Sequence, residues 1–139
     1  MGIPAMMSPQ NIEKVTVSFG RLALSKAKVA EDFYKRLFEI DPSLRKLFKS
    51  DMKAQGEKLM MTISIAVSNL KNPDAIRNTV VNLGKRHVTY GVTKKDYQTV
   101  ATALLFAVEK NLGDAFTPDI KAAWVEMYTV VAGMMQEAA

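Results

Sequence analysis

The chain has 139 residues, a length that suits one compact domain with its own core, and we expect a single domain over residues 1–139. Hydrophobic residues make up 48% and charged residues 24%, as in ordinary globular proteins. The absence of cysteine excludes disulfides, thiolate metal ligands, a cysteine nucleophile and covalent attachment of a prosthetic group through a C-x-x-C-H motif. A single histidine excludes a multi-histidine zinc site.

The formal net charge is +5, but the basic residues are scattered along the chain and no nucleic-acid-binding motif is present. We therefore expect no nucleic-acid partner and interpret the charge as serving solubility or the docking of an acidic partner. The longest nearly uncharged run, residues 60–70, is too short to span a bilayer, and the start MGIPAMM lacks the features of a signal peptide. We expect a cytoplasmic protein with no membrane segment.

Four helix starts are indicated by a capping residue followed by proline, which satisfies one free backbone N–H and removes another. They are Ser8-Pro9, Asp41-Pro42, Asn72-Pro73 and Thr117-Pro118. A glycine after the last apolar residue, at Leu112-Gly113, predicts a helix end.

Apolar residues recur every three or four positions, the spacing of amphipathic helices. In chain order the stripes are Ile12, Val15, Phe19 and Leu22; Val29, Phe33 and Leu37; Leu59, Ile63, Ala66 and Leu70; Ile76, Val80 and Leu83; Tyr97, Val100, Leu104 and Val108; and Ile120, Trp124, Tyr128, Val131 and Met135. A short helical turn over residues 42–48 and a polar linker over residues 49–58 separate the second stripe from the third. The pattern predicts an all-α fold of about seven helices, with residues 1–7 as a flexible N-terminal extension.

His87 continues the apolar stripe of Ile76, Val80 and Leu83, at positions i, i+4, i+7 and i+11, so its ring is predicted to point inward. A hydrogen-bonded core histidine is one interpretation of this placement. The predicted helix ends directly after it, in VTYGV, and that favours the other interpretation, a ligand presented at the edge of a cavity.

Five motifs resemble, in order and spacing, the bacterial single-domain haemoglobins and the globin domain of flavohaemoglobins. They are DFYKRLF, DPSLRKLF, QGEKLM, GKRHVTYGV with a tyrosine ten residues after its histidine, and AAWVEMY. The resemblance runs from about Pro9 to Met135, and the spacing between the motifs matches without large gaps. The resemblance implies the globin fold, with about seven helices around a non-covalent b-type haem.

On the proximal side, the resemblance implies that His87 is the axial ligand of the iron and that Tyr97 joins the hydrogen-bond network behind it. Tyr97 is alternatively a core residue with a satisfied hydroxyl. A glutamate that completes this network in flavohaemoglobins would fall on Ala139, and Glu137 is two residues away, which leaves that bond open.

Around the haem edge, Phe48 matches the phenylalanine that packs on the ring, and Lys58 is placed to pair with a propionate, with Arg86 as a second candidate. Core packing is the alternative for Phe48, and a solvated surface charge is the alternative for Lys58 and Arg86.

On the distal side, the resemblance implies that Tyr34 and Gln55 donate hydrogen bonds to a bound ligand and that Leu59 covers the same face. Gln55 alone would be interpreted as solvated, and its pairing with Tyr34 and Leu59 carries the assignment. O₂, NO or small anions are the expected ligands, and we expect Tyr34 to slow O₂ release more than Gln55 does.

The resemblance leaves three functions open. The first is an oxygen-binding haem protein for storage, delivery or sensing. The second is a nitric oxide dioxygenase, which we expect to need a separate reductase because no G-x-G-x-x-G motif is present. The third is a haemless globin-like regulatory or interaction module. We expect a monomer or a weak homodimer.

Overall fold

The computed structural model describes residues 7–48, 51–89 and 93–136, apart from the side chains of residues 73, 76, 79, 83 and 86–89. This part of the chain contains no strand, and its six α-helices are α1 Pro9–Leu22, α2 Lys26–Ile40, α3 Met52–Ser68, α4 Pro73–Thr89, α5 Lys94–Leu112 and α6 Pro118–Gln136. Three short 3₁₀ helices, Ala23–Ser25, Pro42–Leu47 and Gly113–Ala115, join them. The predicted all-α class is confirmed. Among these helices, none is both long enough and apolar enough to cross a membrane.

Helix ends lie where the capping signals place them. The Ser8 side chain accepts a hydrogen bond from the backbone N–H of Asn11 at 3.2 Å, with proline at the start of α1. The Asp41 carboxylate accepts from the N–H of Ser43 at 3.1 Å and begins the 3₁₀ helix. Gly113 ends α5 with φ at 56°, a conformation that side chains larger than hydrogen disfavour.

The predicted polar linker is wrong for residues 52–58, which form the first two turns of α3. Asp51 is the N-cap, and its carboxylate accepts a hydrogen bond from the N–H of Ala54 at 3.3 Å. The charged residues of these turns, Lys53, Glu57 and Lys58, are exposed, Gln55 is half-buried, and Gly56 is buried against α2. Gln55 therefore lies on a helix, where its position is fixed.

The helices bury their apolar stripes against one another in pairs: α2 packs against α5 and α3, and α6 packs against α1 and α4. Trp124, Leu22 and Leu37 are among the largest side chains that are completely buried. The Trp124 indole N–H donates to the Ser18 hydroxyl at 2.9 Å, so the contact of α6 with α1 satisfies both buried polar groups.

Met7 is buried in the core cluster, although the predicted N-terminal extension included it. The remaining residues of that extension, 1–6, lie outside the described part of the chain.

A buried carboxylate joins α2 to α5. The Asp32 side chain is 2% exposed and accepts hydrogen bonds from Lys28 at 2.6 Å, Asn111 at 3.0 Å and Lys110 at 3.4 Å. Burial alone would raise the pKa of Asp32, but the bonds from Lys28 and Asn111 and the charge of Lys110 outweigh it and lower the pKa. The ionised form is therefore favoured by the fold.

Because the folded-state pKa of Asp32 lies below its unfolded value, this stabilisation is present above about pH 4 and is lost as the pH falls through the folded pKa. We expect Asp32→Asn to lower the free energy of unfolding by roughly 1–2 kcal/mol at pH 7 and to flatten its pH dependence below pH 5. Urea unfolding followed by circular dichroism at several pH values measures both effects.

Glu39→Gln in the same helix is the matched control, since Glu39 makes only a 3.6 Å surface pair with Arg36 and should change little. Equal pH slopes for wild type and Asp32→Asn would contradict the expectation.

Candidate functional site

The site begins where α2 and α3 cross. Ala30 and Gly56 are both buried at this crossing, and a methyl group at Gly56 would lie 3.0 Å from the Ala30 Cβ. The missing side chain lets the two backbones approach closely. Tyr34 lies one turn after Ala30 on α2, and Gln55 directly precedes Gly56 on α3, so the crossing brings Tyr34 and Gln55 together.

Tyr34 is 9% exposed and sits in a cluster of aromatic rings. The ring centroids of Phe33, Phe48 and Phe38 lie 4.9, 5.2 and 6.0 Å from its own. Phe33 and Phe48 meet it edge-on, at 73° and 72°. The phenol ring is thus held from several sides.

The Tyr34 hydroxyl has a poor partner. It donates to the backbone carbonyl of Gln55 at 3.4 Å, well beyond the roughly 2.7–2.8 Å usual for hydroxyl donors. Burial raises the pKa of Tyr34 to about 12, so the hydroxyl stays protonated at neutral pH. The result is a neutral donor in apolar surroundings whose bonding capacity is not fully used.

The other predicted residues on this side have distinct positions. Phe48 follows the 3₁₀ helix Pro42–Leu47, is half-buried, and meets Phe38 at 5.7 Å. Leu59, one turn after Gln55 on α3, is half-buried against the core. Lys58 is exposed on the same helix. The structure therefore brings Tyr34, Phe48 and Gln55 together, with Leu59 on the helix that carries Gln55.

His87 belongs to α4, two residues before the helix ends at Thr89. Its side chain lies outside the described part, as does that of Arg86, while Glu137 and Ala139 lie outside it altogether. The helix itself is placed by its packing against α6, where Val80 is buried with Met134.

Tyr97 lies in the first turn of α5 and is half-buried. Its backbone carbonyl accepts a hydrogen bond from the Tyr128 hydroxyl of α6 at 2.5 Å. Both tyrosines line a groove of about 460 Å³ between α5 and α6, and burial raises the pKa of each.

A capping box that the sequence analysis missed fixes the start of α5. The Thr93 hydroxyl accepts from the N–H of Asp96 at 3.3 Å, and the Asp96 carboxylate accepts from the N–H of Thr93 at 2.9 Å. The signal was the Thr-x-x-Asp spacing, and it sets the register in which Tyr97 follows.

The family model described as Globin matches residues 31–135, about three quarters of the chain. The chain belongs to the globin family. That match spans the aromatic cluster around Tyr34 as well as the helix that carries His87. It confirms the family and the fold that the resemblance implied.

Relatives come from two kinds of globin. Neuroglobin-1 of Oncorhynchus mykiss is 31% identical, over 88% of this chain and 86% of the relative. A flavohemoprotein of Xylella fastidiosa is 32% identical over 96% of this chain, but the match covers only 34% of that longer protein. A solved structure with the same fold is an engineered carbene transferase, described as a nitric oxide dioxygenase from Rhodothermus marinus. The TM-score is 0.84 at 24% sequence identity, and the match covers 95% of this globin and 93% of that chain.

Members of the globin family bind haem. The residues around Tyr34 fit such a group on chemical grounds. The apolar rings suit the flat, apolar haem, and the weakly bonded Tyr34 hydroxyl suits a polar ligand at its centre.

Two tyrosines allow a matched comparison of hydroxyl bonding. We expect Tyr34→Phe to change the free energy of unfolding of the haem-free protein by less than about 0.5 kcal/mol, because its bond is 3.4 Å long. Tyr128→Phe removes the 2.5 Å bond to Tyr97 and should cost about 1 kcal/mol or more. Urea unfolding of both variants tests this, and an equal loss in the two would show that the Tyr34 hydroxyl is fully satisfied by the protein.

Proposed function

We propose that this globin is a haem protein that binds oxygen for storage, delivery or sensing, with Tyr34 and Gln55 as its distal donors. The single observation that carries the proposal is the Tyr34 hydroxyl, a buried neutral donor with only a 3.4 Å bond to the Gln55 carbonyl. Leaving such a group poorly bonded costs free energy, and a ligand that accepts from it recovers that cost. Membership of the globin family supports the same conclusion.

The haem we propose is b-type and non-covalent, since the chain has no cysteine to attach it. When bound, it supplies an iron centre at which a diatomic gas can coordinate. His87, the chain's one histidine, would hold it from α4, and Tyr97 would orient that ring from the start of α5. Phe48 and Leu59 offer apolar contacts for the haem ring, and the exposed Lys58 is suited to pair with a haem propionate.

The distal side chains act by hydrogen bonding. Tyr34 keeps its proton because burial raises its pKa to about 12, so it remains a donor throughout the neutral range. Its ring has little freedom, because Phe33 and Phe48 pack against it edge-on. A donor already held in apolar surroundings stabilises negative charge on a ligand at little reorganisation cost. Gln55, half-buried in the first turn of α3, would add a second amide donor.

Nitric oxide dioxygenation is a second candidate, supported by the similarity to a flavohemoprotein. That reaction needs an electron in each turnover, which a reductase would supply, and the net charge of +5 suits an acidic partner. Consumption of nitric oxide beyond one event per haem, in air with an added reductase, distinguishes the enzyme from a ligand-binding protein. Small anions are the ligands we propose for the oxidised form.

Oxygen dissociation tests the proposal. We expect Tyr34→Phe to accelerate O₂ release by about 10- to 100-fold and Gln55→Ala by less, because the phenol is buried and fixed by aromatic packing while Gln55 is only half-buried. Stopped-flow replacement of O₂ on the haem-loaded protein measures these rates.

Glu39→Gln is the control, since Glu39 makes a 3.6 Å surface pair with Arg36 and has no part in the proposed haem site, so the rate should stay unchanged. The opposite order of Tyr34→Phe and Gln55→Ala would contradict the distal assignment, and failure of the wild type to take up haem would overturn the proposed function.

A further inference from the structure

The helix that carries His87 approaches α6 at one glycine. Gly84 is buried, and a methyl group built on it would lie 2.7 Å from both the Cα and the carbonyl carbon of Met135 and closer still to the carbonyl oxygen. Side-chain carbons essentially never lie that near to other atoms. The obstacle is backbone on α6, so no side-chain rotation can relieve it.

The contact lies on the face by which α4 is held. Val80, one turn before Gly84, is 6% exposed and packs in a small cluster with Met134 of α6, which is 2% exposed. Among the described residues, α6 is the main packing partner of α4. Whatever sets the separation of these two helices therefore sets where α4 lies in the fold.

His87 follows Gly84 by three residues in the same helix, roughly 4.5 Å further along the axis and on an adjoining face. An α-helix moves as a rigid unit over such a distance, because successive backbone hydrogen bonds tie its turns together. A shift of α4 away from α6 is therefore transmitted to His87.

We propose that Gly84 is a positioning residue: its missing side chain fixes the separation of α4 from α6 and thereby the position of His87 relative to the haem. The inference rests on the proposed haem function. It predicts that a methyl at Gly84 displaces α4 by about 1 Å, the difference between a 2.7 Å approach and ordinary carbon contact. With haem held by His87, a displaced α4 would strain that attachment.

The experiment compares Gly84→Ala with Gly133→Ala. Gly133 lies on α6, is exposed, and has nothing within 4 Å of the position of an added Cβ, so it controls for the change from glycine to alanine in a helix. The readouts are the urea midpoint of the haem-free protein and the iron–histidine stretching band of the ferrous protein by resonance Raman. We expect Gly84→Ala to lower the urea midpoint and to shift or broaden the iron–histidine band. Gly133→Ala should not lower the midpoint and should leave the position and intensity of the band unchanged.

A second pair of variants distinguishes an effect on the position of His87 from an effect on the stability of the protein. Val80→Ala loosens the same helix contact without adding a group, so it should lower the midpoint and leave the band in place. Met134→Phe enlarges the side chain that packs on Val80 and should shift the band as Gly84→Ala does, which keeps the proposal testable if Gly84→Ala fails to fold.

The outcomes test three claims separately: the close contact at Gly84, the positioning of His87, and the proposed haem function. An unchanged midpoint in Gly84→Ala overturns the close contact. A lowered midpoint with an unshifted band in Gly84→Ala or in Met134→Phe overturns the positioning role while the contact stands. No haem uptake by the wild type overturns the proposed function and the positioning role together, and the midpoints still decide whether the contact exists.

Discussion

The approach of α2 and α3 at Ala30 and Gly56 is the constraint on which the candidate site depends. A methyl at Gly56 would lie 3.0 Å from the Ala30 Cβ, tighter than ordinary carbon contact, so a side chain at this position would require the two helices to shift. That closeness places the Tyr34 hydroxyl within reach of the Gln55 carbonyl. A larger residue at Gly56 would push α2 and α3 apart and so move Tyr34 away from Gln55.

Two buried polar side chains on α2 differ in how well the protein satisfies them. Asp32 accepts three hydrogen bonds, the shortest 2.6 Å, and holds α2 to α5. Tyr34, two residues later, makes one hydrogen bond of 3.4 Å, to the backbone carbonyl of Gln55, within a cluster of aromatic rings. The first pattern is that of a structural group, and the second leaves the Tyr34 hydroxyl able to donate to a ligand, as the proposed function requires. One helix thus carries both stability and the proposed function.

Local signals predicted much of the fold, and long-range packing decided what they missed. The cap at Ser8 and the glycine stop at Gly113 depend on a few neighbouring residues, and both predictions are confirmed. The polar composition of residues 49–58 predicted a linker, whereas residues 52–58 form helix whose contact with α2 is made at Gly56, and the role of that glycine needs the partner helix to be known. The contact of Gly84 with Met135 joins residues far apart in sequence and leaves no local pattern. The distal assignment of Tyr34 and Gln55 came from family resemblance and stays a prediction, and the structure adds that Tyr34 is packed among aromatic rings.

Absorption spectroscopy of the purified chain titrated with haem tests the central claim most directly, because the proposed function requires the His87 imidazole to bind the iron. Wild type should give a Soret band that saturates at one haem per chain and shifts between the ferric and ferrous states. His87→Ala should lose that saturable binding, with free imidazole restoring it in part. A wild-type protein without the band, or a His87→Ala protein with the same band and affinity, would contradict the claim.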